Sequence, residues 1–582
     1  MHRGELVLIL HAHLPYIRHP EHAEFLEERW LFEAITETYL PILQRLQRLA
    51  DDGLALHLTV SLSPTLLAML ADPLLQERYV RHLERQIELA EKETVRTKWL
   101  PPFDRLARMY AGRAREAHRV YTGVYRRDLI AAFRSLHLQG GLELMTTCAT
   151  HGYLPLLDRH PAAVRAQIRV GLQAFEEFMG FRPRGLWLPE CGYAPGLDAI
   201  LREEGVGYVI VDAHGVLFGE PRPRFGVHAP VRTPSGVIVF GRDLASSKQV
   251  WSSIEGYPGH PDYREFHRDI GYDLDTDYLR PYLGGDGSRT ATGIKYYRIT
   301  GATDQKEPYD PDRARAQAAA HARNFVRERD AHALRLKEVL GRGPVIVSPY
   351  DAELFGHWWF EGTDWLELVI RDVQREARDL RMTTPARVID GAGEFQMQQP
   401  AMSSWGVRGY HDMWLNGSND WIWPRLHRMA ERMVRLTSAM PDAHGPSLRV
   451  LNQMARELLL AQASDWGFII KTQSHASYAY GRLQDHMERF DVLADALEAQ
   501  EIDESRLARF ESQDNLFPFV DYRVYANLPP EPGGGFQAAL ASEGRRRAST
   551  PSARLASAPA ANAGSEQAAR PPASATPAGP GS

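Results

Sequence analysis

Two carboxylates in this chain of 582 residues stand close behind short apolar runs and among aromatic side chains. Glu190 follows the run Gly185–Leu188, and Asp351 follows the run Pro344–Val347. Because the carboxyl ends of barrel strands gather into one pocket, two such carboxylates can face the same substrate. A carboxylate pair is the machinery of glycosidic bond cleavage, where one is nucleophile or base and the other is held protonated as acid.

Polar residues follow most of the other candidate strands as well. The first strand runs into His11 and His13, the third into His151, the fifth into Asp212 and the sixth into Arg242. Solubility does not explain so many polar strand ends, whereas a single pocket does. We therefore expect these side chains to line one site.

Aromatic residues are frequent in segments that look like loops. Sugar rings stack their C–H faces on tryptophan and tyrosine, whereas a core would use leucine and valine there. The candidates for such stacking are Trp187, Tyr193, Trp251, Trp358, Trp359, Trp405, Trp414, Trp421 and Trp423. For Trp405, Trp414 and Trp423, docking of a helical domain on the barrel is the alternative.

Each polar candidate also has a structural interpretation. Glu190 could serve in an ion pair or a cap, and Asp351 could cap the helix start Asp-Ala-Glu-Leu. Glu353 could replace Asp351 as the acid. Arg242 could form a salt bridge at the barrel rim, and Asp465 and His475 could join two helices by hydrogen bonds.

The pair His11 and His13 leaves a rival chemistry open. Histidines in this spacing are metal ligands in many hydrolytic barrels. His151 and Asp351 could complete such a site. A metal-dependent hydrolase or deacetylase is therefore the alternative class of enzyme.

Short apolar runs separated by helical patterns predict an α/β fold. The runs are nearly continuous, which is typical of strands buried on both faces in a barrel or a doubly wound sheet. The predicted strands are Glu5–Leu10, Ala55–Leu62, Leu142–Cys148, Gly185–Leu188, Tyr208–Val211, Val237–Phe240 and Pro344–Val347. The predicted helices between them are Leu31–Leu49, Leu197–Glu204 and Asp312–Leu340.

The chain divides into a catalytic barrel over 1–385, a helical insertion within it over 64–139, a helical domain over 386–526 and a tail over 527–582. The tail is rich in Ala, Pro, Ser and Gly, so we expect it to be disordered. The irregular stretch Trp251–Thr300 is typical of an active-site wall. Further helices are predicted at Leu75–Lys92, Arg115–His137, Trp421–Ala439, Ser447–Ala463 and Gly481–Gln500, with a loop at Trp99–Phe103.

Net charge, cysteine count and the length of the apolar runs exclude several classes of protein. The net charge of −6 argues against nucleic acid as a partner. The two cysteines, Cys148 and Cys191, exclude a disulfide scaffold and are expected to be buried thiols. The N-terminal apolar run is too short for a signal peptide and no run is long enough to span a membrane, so we expect a cytoplasmic enzyme without a membrane partner.

At these residues the chain resembles glycoside hydrolase family 57, and within it the 1,4-α-glucan branching enzymes. That family is marked by five short regions in order. Their counterparts here are His11-Ala12-His13-Leu14-Pro15, Gly141–Leu144 through His151-Gly152-Tyr153, Trp187-Leu188-Pro189-Glu190, Ser348–Glu353, and Asp465-Trp466 through His475. Gly256–Gly259, His357–Gly362, Trp405-Gly406 and Trp414 extend the resemblance, which covers about residues 1–525.

The resemblance implies an incomplete seven-stranded (β/α) barrel with a helical insertion and a C-terminal helical domain. It implies a retaining double displacement with Glu190 as nucleophile and Asp351 as general acid and base. The donor and the acceptor would both be α-1,4-glucans such as amylose and glycogen, with no cofactor. Branching would serve glycogen biosynthesis.

The resemblance also assigns roles around the two carboxylates. His11, His13 and His151 would orient hydroxyls or carboxylates and hold no metal. Carbohydrate contacts carried over by position are Arg242, Gly259, Trp405, Asp465 and Gln473; Trp251, Trp358, Trp414 and His475 complete the candidate substrate-binding set.

One departure keeps other activities open. Branching members carry a tyrosine on a mobile loop over the cleft, but the corresponding stretch His214–Arg232 contains only Phe218 and Phe225 as aromatic residues. Either the register of the match differs, or this chain hydrolyses more and branches less. An α-amylase or a 4-α-glucanotransferase is therefore the alternative within the family, and a catalytically silent glucan-binding protein is a third possibility.

Overall fold

A computed structural model describes residues 3–252, 256–284 and 287–526. The tail predicted over 527–582 lies outside the described residues. No helix in the described ranges is long and apolar enough to cross a membrane.

A curved parallel sheet forms the centre of the molecule. Its strands are β1 Gly4–Ala12, β2 Leu58–Leu62, β3 Leu142–Thr147, β4 Gly185–Trp187, β5 Tyr208–Val211, β6 Val231–Arg232, β7 Ile238–Gly241, β8 Val345–Asp351, β9 Leu380–Thr383 and β10 Gln396–Met397. The order β7-β5-β4-β3-β2-β1-β8 is a continuous parallel ladder of seven strands. These are the seven predicted strands, displaced by no more than a few residues at their ends.

The ladder is an open barrel, which confirms the predicted fold class. β6 pairs antiparallel with β7, β10 continues that edge, and β9 pairs with the start of β1. Between the two ends of the ladder, the amide of Asp243 donates a hydrogen bond to the carbonyl of Val347 over 2.8 Å. All seven strands are almost entirely buried, as their continuous apolar runs predict.

Helices cover the outside of the barrel. They are α1 Glu28–Ala34, α2 Leu40–Asp51, α3 Pro64–Ala71, α4 Pro73–Arg96, α5 Pro101–Arg119, α6 Leu129–Leu138, α7 Pro161–Met179, α8 Leu197–Glu203, α9 Ala213–Leu217, α10 Leu244–Trp251, α11 Ile270–Asp273, α12 Thr276–Leu279, α13 Pro311–Leu340, α14 Gly362–Glu376 and α15 Pro385–Gly391. A π-helical stretch, Ile35–Tyr39, joins α1 to α2.

Two local predictions in the helical insertion are wrong. Pro101 and Pro102 open α5 instead of lying in a loop, because proline lacks the amide that the first helical turn leaves unpaired. The helix predicted over Arg115–His137 is broken after Val124, and Asp128 caps a new helix by accepting a hydrogen bond from the amide of Ala131 over 2.8 Å.

The C-terminal part is helical, as predicted. Its helices are α16 Ile422–Ala439, α17 Gly445–Ala461, α18 Ser464–Thr472, α19 Ala476–Ala499 and α20 Glu504–Gln513. A buried polar cluster holds them together. His486 and the Glu457 carboxylate lie 2.7 Å apart, and Arg482 donates to Asp514 over 3.1 Å.

Candidate functional site

Glu190 is buried on a tight turn directly behind β4. Its two carboxylate oxygens each accept one hydrogen bond from the C-terminal part of the chain. The indole N–H of Trp405 donates to Oε2 over 2.7 Å, and the hydroxyl of Ser464 donates to Oε1 over 2.9 Å. Glu190 is therefore held by donors directed at both oxygens, an arrangement typical of a positioned carboxylate.

The surroundings of Glu190 set its charge. Burial raises the pKa of Glu190 to about 7, because the charged form loses its water. The hydrogen bond from Trp405 opposes this rise, the negative charge of Asp465 adds to it, and the bond from Ser464 opposes it. Trp405 and Ser464 thus favour the ionised form that a nucleophile needs.

The turn that carries Glu190 is strained. Glu190 has φ of 61° and Cys191 has φ of 51°, both in the left-handed region that side chains disfavour. His151, behind β3, has φ of 59°. Such strain persists only where surrounding contacts over-determine it, and it clusters at active sites.

The three predicted histidines stack beside Glu190. The rings of His13 and His151 lie 3.9 Å apart, and His11 stacks on Trp187 with centroids 4.5 Å apart. His11 Nε2 lies 3.0 Å from His151 Nε2, and His13 Nε2 lies 3.1 Å from Asp465 Oδ2. Asp465 thus accepts a hydrogen bond from the barrel, and not from a second helix as its structural alternative proposed.

The metal-dependent alternative has a specific form in the structure. Among the described residues, His13, His151 and Asp465 present ligand atoms within 4.8 Å of one another, whereas His11 and Asp351 fall outside this group. However, His13 Nε2 and both nitrogens of His151 already lie within hydrogen-bond distance of protein atoms.

Because these nitrogens already have protein partners, we expect activity to survive exhaustive chelation. The measurement is the initial rate on amylose before and after dialysis against a strong chelator, with elemental analysis of the same samples. No stoichiometric metal should be found. Loss of activity that zinc restores would establish the metal-dependent alternative.

Asp351 ends β8 and is almost fully buried. In the register of the sheet it lies opposite His11. Its side chain makes no capping hydrogen bond to the following turn, so the cap interpretation does not hold. Its position at a strand end opposite His11 fits the predicted acid.

Glu353 is the second buried carboxyl at this strand end. It accepts a hydrogen bond from the hydroxyl of Tyr39. Burial raises the pKa of Glu353 to about 8, which favours its protonated form. Asp351 and Glu353 therefore have different surroundings. Substituting each of them in turn separates their roles.

The thiol of Cys191 is affected by both predicted catalytic carboxylates. Burial raises the pKa of its thiol well above the usual range, and the negative charges of Glu190 and Asp351 both add to that rise. Both carboxylates are therefore within electrostatic range of one sulfur atom. Cys148 and Cys191 are free and buried, as predicted.

Arg242 lies next to Trp405. Its guanidinium donates to Asp212 over 3.0 Å and lies 5.8 Å from the ring of Trp405. The salt bridge of the structural alternative is present, and it also supports a side chain that contacts Glu190. The sequence places Asp212 at a strand end, but it does not predict that Asp212 binds Arg242.

The predicted aromatic contacts fall into two groups. The rings of Trp251 and Trp358 lie nearly parallel, at 14° with centroids 6.3 Å apart, and Trp358 is 38% exposed. Trp414 is buried instead and stacks on Tyr153 at 4.5 Å, so it packs the helical region against the barrel. Trp358 keeps part of its indole exposed, whereas Trp414 does not, so Trp251 and Trp358 stay the predicted sugar contacts.

Gly259, Gln473 and His475 are exposed and apart from the hydrogen bonds around Glu190. The side-chain amide of Gln473 donates to the carbonyl of Ile470 over 2.5 Å. His475 packs edge-on against Trp30 at 4.9 Å. Their assignment as glucan contacts stays a prediction.

Ser464 is the site residue that the sequence did not reveal. Serine before an apolar helical run usually caps the helix through its hydroxyl. Here Ala463 occupies the cap position, and the Ser464 hydroxyl points to Glu190 while its amide donates to the carbonyl of His151 over 3.1 Å. The feature of the sequence that could have indicated its role is its position directly before Asp465, a predicted site residue.

Two family models match this chain. The model of glycosyl hydrolase family 57 matches residues 7–403. The model of the 1,4-alpha-glucan branching enzyme C-terminal region matches residues 425–525. The first runs from within β1 to beyond β10, and the second contains Ser464.

Individual relatives include both branching enzymes and an amylase. The 1,4-alpha-glucan branching enzyme of Thermococcus kodakarensis is 34% identical, covering 91% of this chain and 80% of the relative. A probable 1,4-alpha-glucan branching enzyme of Mycobacterium tuberculosis is 31% identical, covering 89% and 98%. The crystal structure of the alpha-amylase AmyC from Thermotoga maritima superposes with a TM-score of 0.85 at 45% identity, covering 90% and 100%.

Proposed function

The chain belongs to glycosyl hydrolase family 57, and we propose that it is a 1,4-α-glucan branching enzyme. It would cleave an α-1,4-linked glucan and transfer the released segment to a 6-hydroxyl of another chain. The observation that carries this proposal is the buried Glu190, held by Trp405 and Ser464, in a chain whose C-terminal part matches that of branching enzymes.

In the first step, Glu190 attacks the anomeric carbon of the donor glucan and forms a covalent ester. Asp351 protonates the leaving glycosidic oxygen, so that the departing chain leaves as an alcohol. The bonds from Trp405 and Ser464 keep the Glu190 carboxylate oriented and favour its ionised form. A fixed orientation lowers the entropic part of the barrier.

In the second step, a 6-hydroxyl of the acceptor replaces the ester. Asp351, now ionised, removes the hydroxyl proton, and the product keeps the anomeric configuration of the donor. Water competes for the same ester. Transfer wins where the acceptor is held in position and water is excluded, and Trp251 and Trp358 are the aromatic faces proposed to hold it.

The proposed domains supply different residues to this reaction. The barrel over 1–385, with its insertion over 64–139, supplies both carboxylates. The region over 386–526 is proposed as a separate helical domain that supplies Trp405 and Ser464. We place the activity in glycogen biosynthesis in the cytoplasm, and the two free thiols fit a reducing compartment.

Incubation with amylose tests the proposed function. Each transfer to a 6-hydroxyl makes one α-1,6 branch and no new reducing end, whereas each hydrolysis makes one reducing end. We expect α-1,6 linkages, counted by proton NMR or by debranching, to exceed new reducing ends throughout the reaction.

Two other outcomes would contradict branching. Many reducing ends with few branches would show an α-amylase. Redistribution of chain lengths without branches or new reducing ends would show a 4-α-glucanotransferase.

Two specific observations favour the α-amylase as the second candidate. The solved amylase from Thermotoga maritima is 45% identical to this chain. In addition, the segment 214–232 has no tyrosine, and its exposed aromatic side chain is Phe218, which is 54% exposed. The ratio of branches to reducing ends separates the two candidates.

A further inference from the structure

We infer that Ser464 is a positioning residue for the nucleophile, at the end of a one-directional chain of hydrogen bonds that starts at Ser61. The chain runs from Ser61 through His11 and His151 to Ser464 and then to Glu190. This inference rests on the proposed function, because it assigns the purpose of the chain to the nucleophilic role of Glu190.

The distances define the chain. Ser61 Oγ lies 3.2 Å from His11 Nδ1, and His11 Nε2 lies 3.0 Å from His151 Nε2. His151 Nδ1 lies 2.8 Å from Ser464 Oγ, which lies 2.9 Å from Glu190 Oε1. All five side chains are buried, so water does not compete for these bonds.

The protons in this chain can be assigned from the carboxylate outward. An ionised Glu190 only accepts, so the Ser464 hydroxyl must donate to it. That hydroxyl has a single proton, so His151 must donate to Ser464 from Nδ1.

A neutral imidazole carries one proton, so His151 Nε2 then accepts from His11 Nε2. His11 Nδ1 finally accepts from the Ser61 hydroxyl. Burial lowers the pKa of both His11 and His151 well below the usual range, which keeps both rings neutral.

Every donor in the chain therefore points toward Glu190. The dipoles add in one direction, so the Ser464 hydroxyl donates more strongly than an isolated serine. The three strand ends β1, β2 and β3 thus act on the nucleophile through one hydroxyl of the helical region.

The test compares Ser464→Thr with Ser464→Val. Threonine and valine have nearly the same shape, so both carry the same packing cost, but only threonine keeps the hydroxyl. We expect kcat on amylose to be about tenfold to hundredfold lower in the valine variant than in the threonine variant, as for a hydrogen bond to a charged group. The KM should change by no more than about twofold, because Ser464 acts on the nucleophile and not on substrate binding.

Two controls complete the design. Ser438→Ala, which removes an exposed hydroxyl from α16, should leave kcat unchanged. Both variants should fold, with a lower thermal midpoint for the Val variant because valine leaves a buried carboxylate oxygen without its hydrogen bond, so kcat is compared well below both midpoints. Equal kcat in both variants would overturn the inference, as would a difference carried only by KM.

The proposed function can fail separately from this inference. If Glu190→Gln keeps its activity, the nucleophile assignment is wrong and the chain has no catalytic target. If Glu190→Gln is inactive while the Thr and Val variants are equal, the enzyme is as proposed but Ser464 only packs.

Discussion

Replacement of Glu190 by glutamine should reduce glucan cleavage by about 10⁴- to 10⁶-fold, as expected when a covalent nucleophile is lost. Glutamine has the same shape and its carbonyl oxygen can still accept one of the two hydrogen bonds from Trp405 and Ser464. The fold and the glucan site should therefore survive. Initial rates on amylose, together with glucan binding by affinity electrophoresis, measure both effects.

Glu504→Gln is the matched control for this substitution. Glu504 in α20 is 60% exposed, and its exchange removes the same charge at a surface position. Its rate should equal that of the unchanged protein. If the Glu190→Gln variant retains full turnover, Glu190 is not the nucleophile; if it is inactive and no longer binds glucan, the substitution has damaged the site as a whole. Turnover by the unchanged protein distinguishes an enzyme from a silent glucan-binding protein, and full binding without turnover in the variant assigns the loss to catalysis.

Replacement of Asp351 by asparagine should lower the rate on amylose by about 10²- to 10⁴-fold, the usual contribution of a general acid and base. The loss should depend on the leaving group. With α-glucosyl fluoride the first step needs no proton, so it should remain fast, while the second step lacks its base and the ester should accumulate. Added azide needs no base, so it should restore turnover and give α-glucosyl azide with retained configuration.

Glu353→Gln is the paired variant for Asp351→Asn. Glu353 is buried against Tyr39, and burial favours its protonated form, so glutamine changes the charge less here than at an ionised carboxylate. We expect a smaller loss that does not depend on the leaving group and is not restored by azide. If azide instead restores the Glu353 variant and not the Asp351 variant, Glu353 is the acid.

The strands could be predicted because strands that are buried on both faces consist mainly of apolar residues. Runs such as Tyr208–Val211 and Glu5–Leu10 are apolar on both faces, which only a sheet covered on both sides accommodates. Glu190 and Asp351 stood out for the same reason, since each interrupts apolar and aromatic surroundings. Local sequence was sufficient for these features.

The contacts between distant parts of the chain could not be predicted. Ser464 was not among the predicted site residues, and its bond to Glu190 joins residues 274 positions apart in the sequence. Trp405 was expected to contact sugar or to dock the helices, but not to donate to the nucleophile. In the sequence, a buried tryptophan such as Trp414 cannot be distinguished from one that stacks on a sugar ring. Only its packing against Tyr153 in the structure shows which of the two it is.

The covalent ester on Glu190 is the central claim, and peptide mass mapping tests it most directly. The Asp351→Asn variant is treated with α-glucosyl fluoride, quenched in acid and digested. We predict one added glucosyl unit on the peptide that contains Glu190, and none on the same peptide from Glu190→Gln. Consumption of the fluoride with an adduct on another residue, or with inverted product and no adduct, would contradict this account.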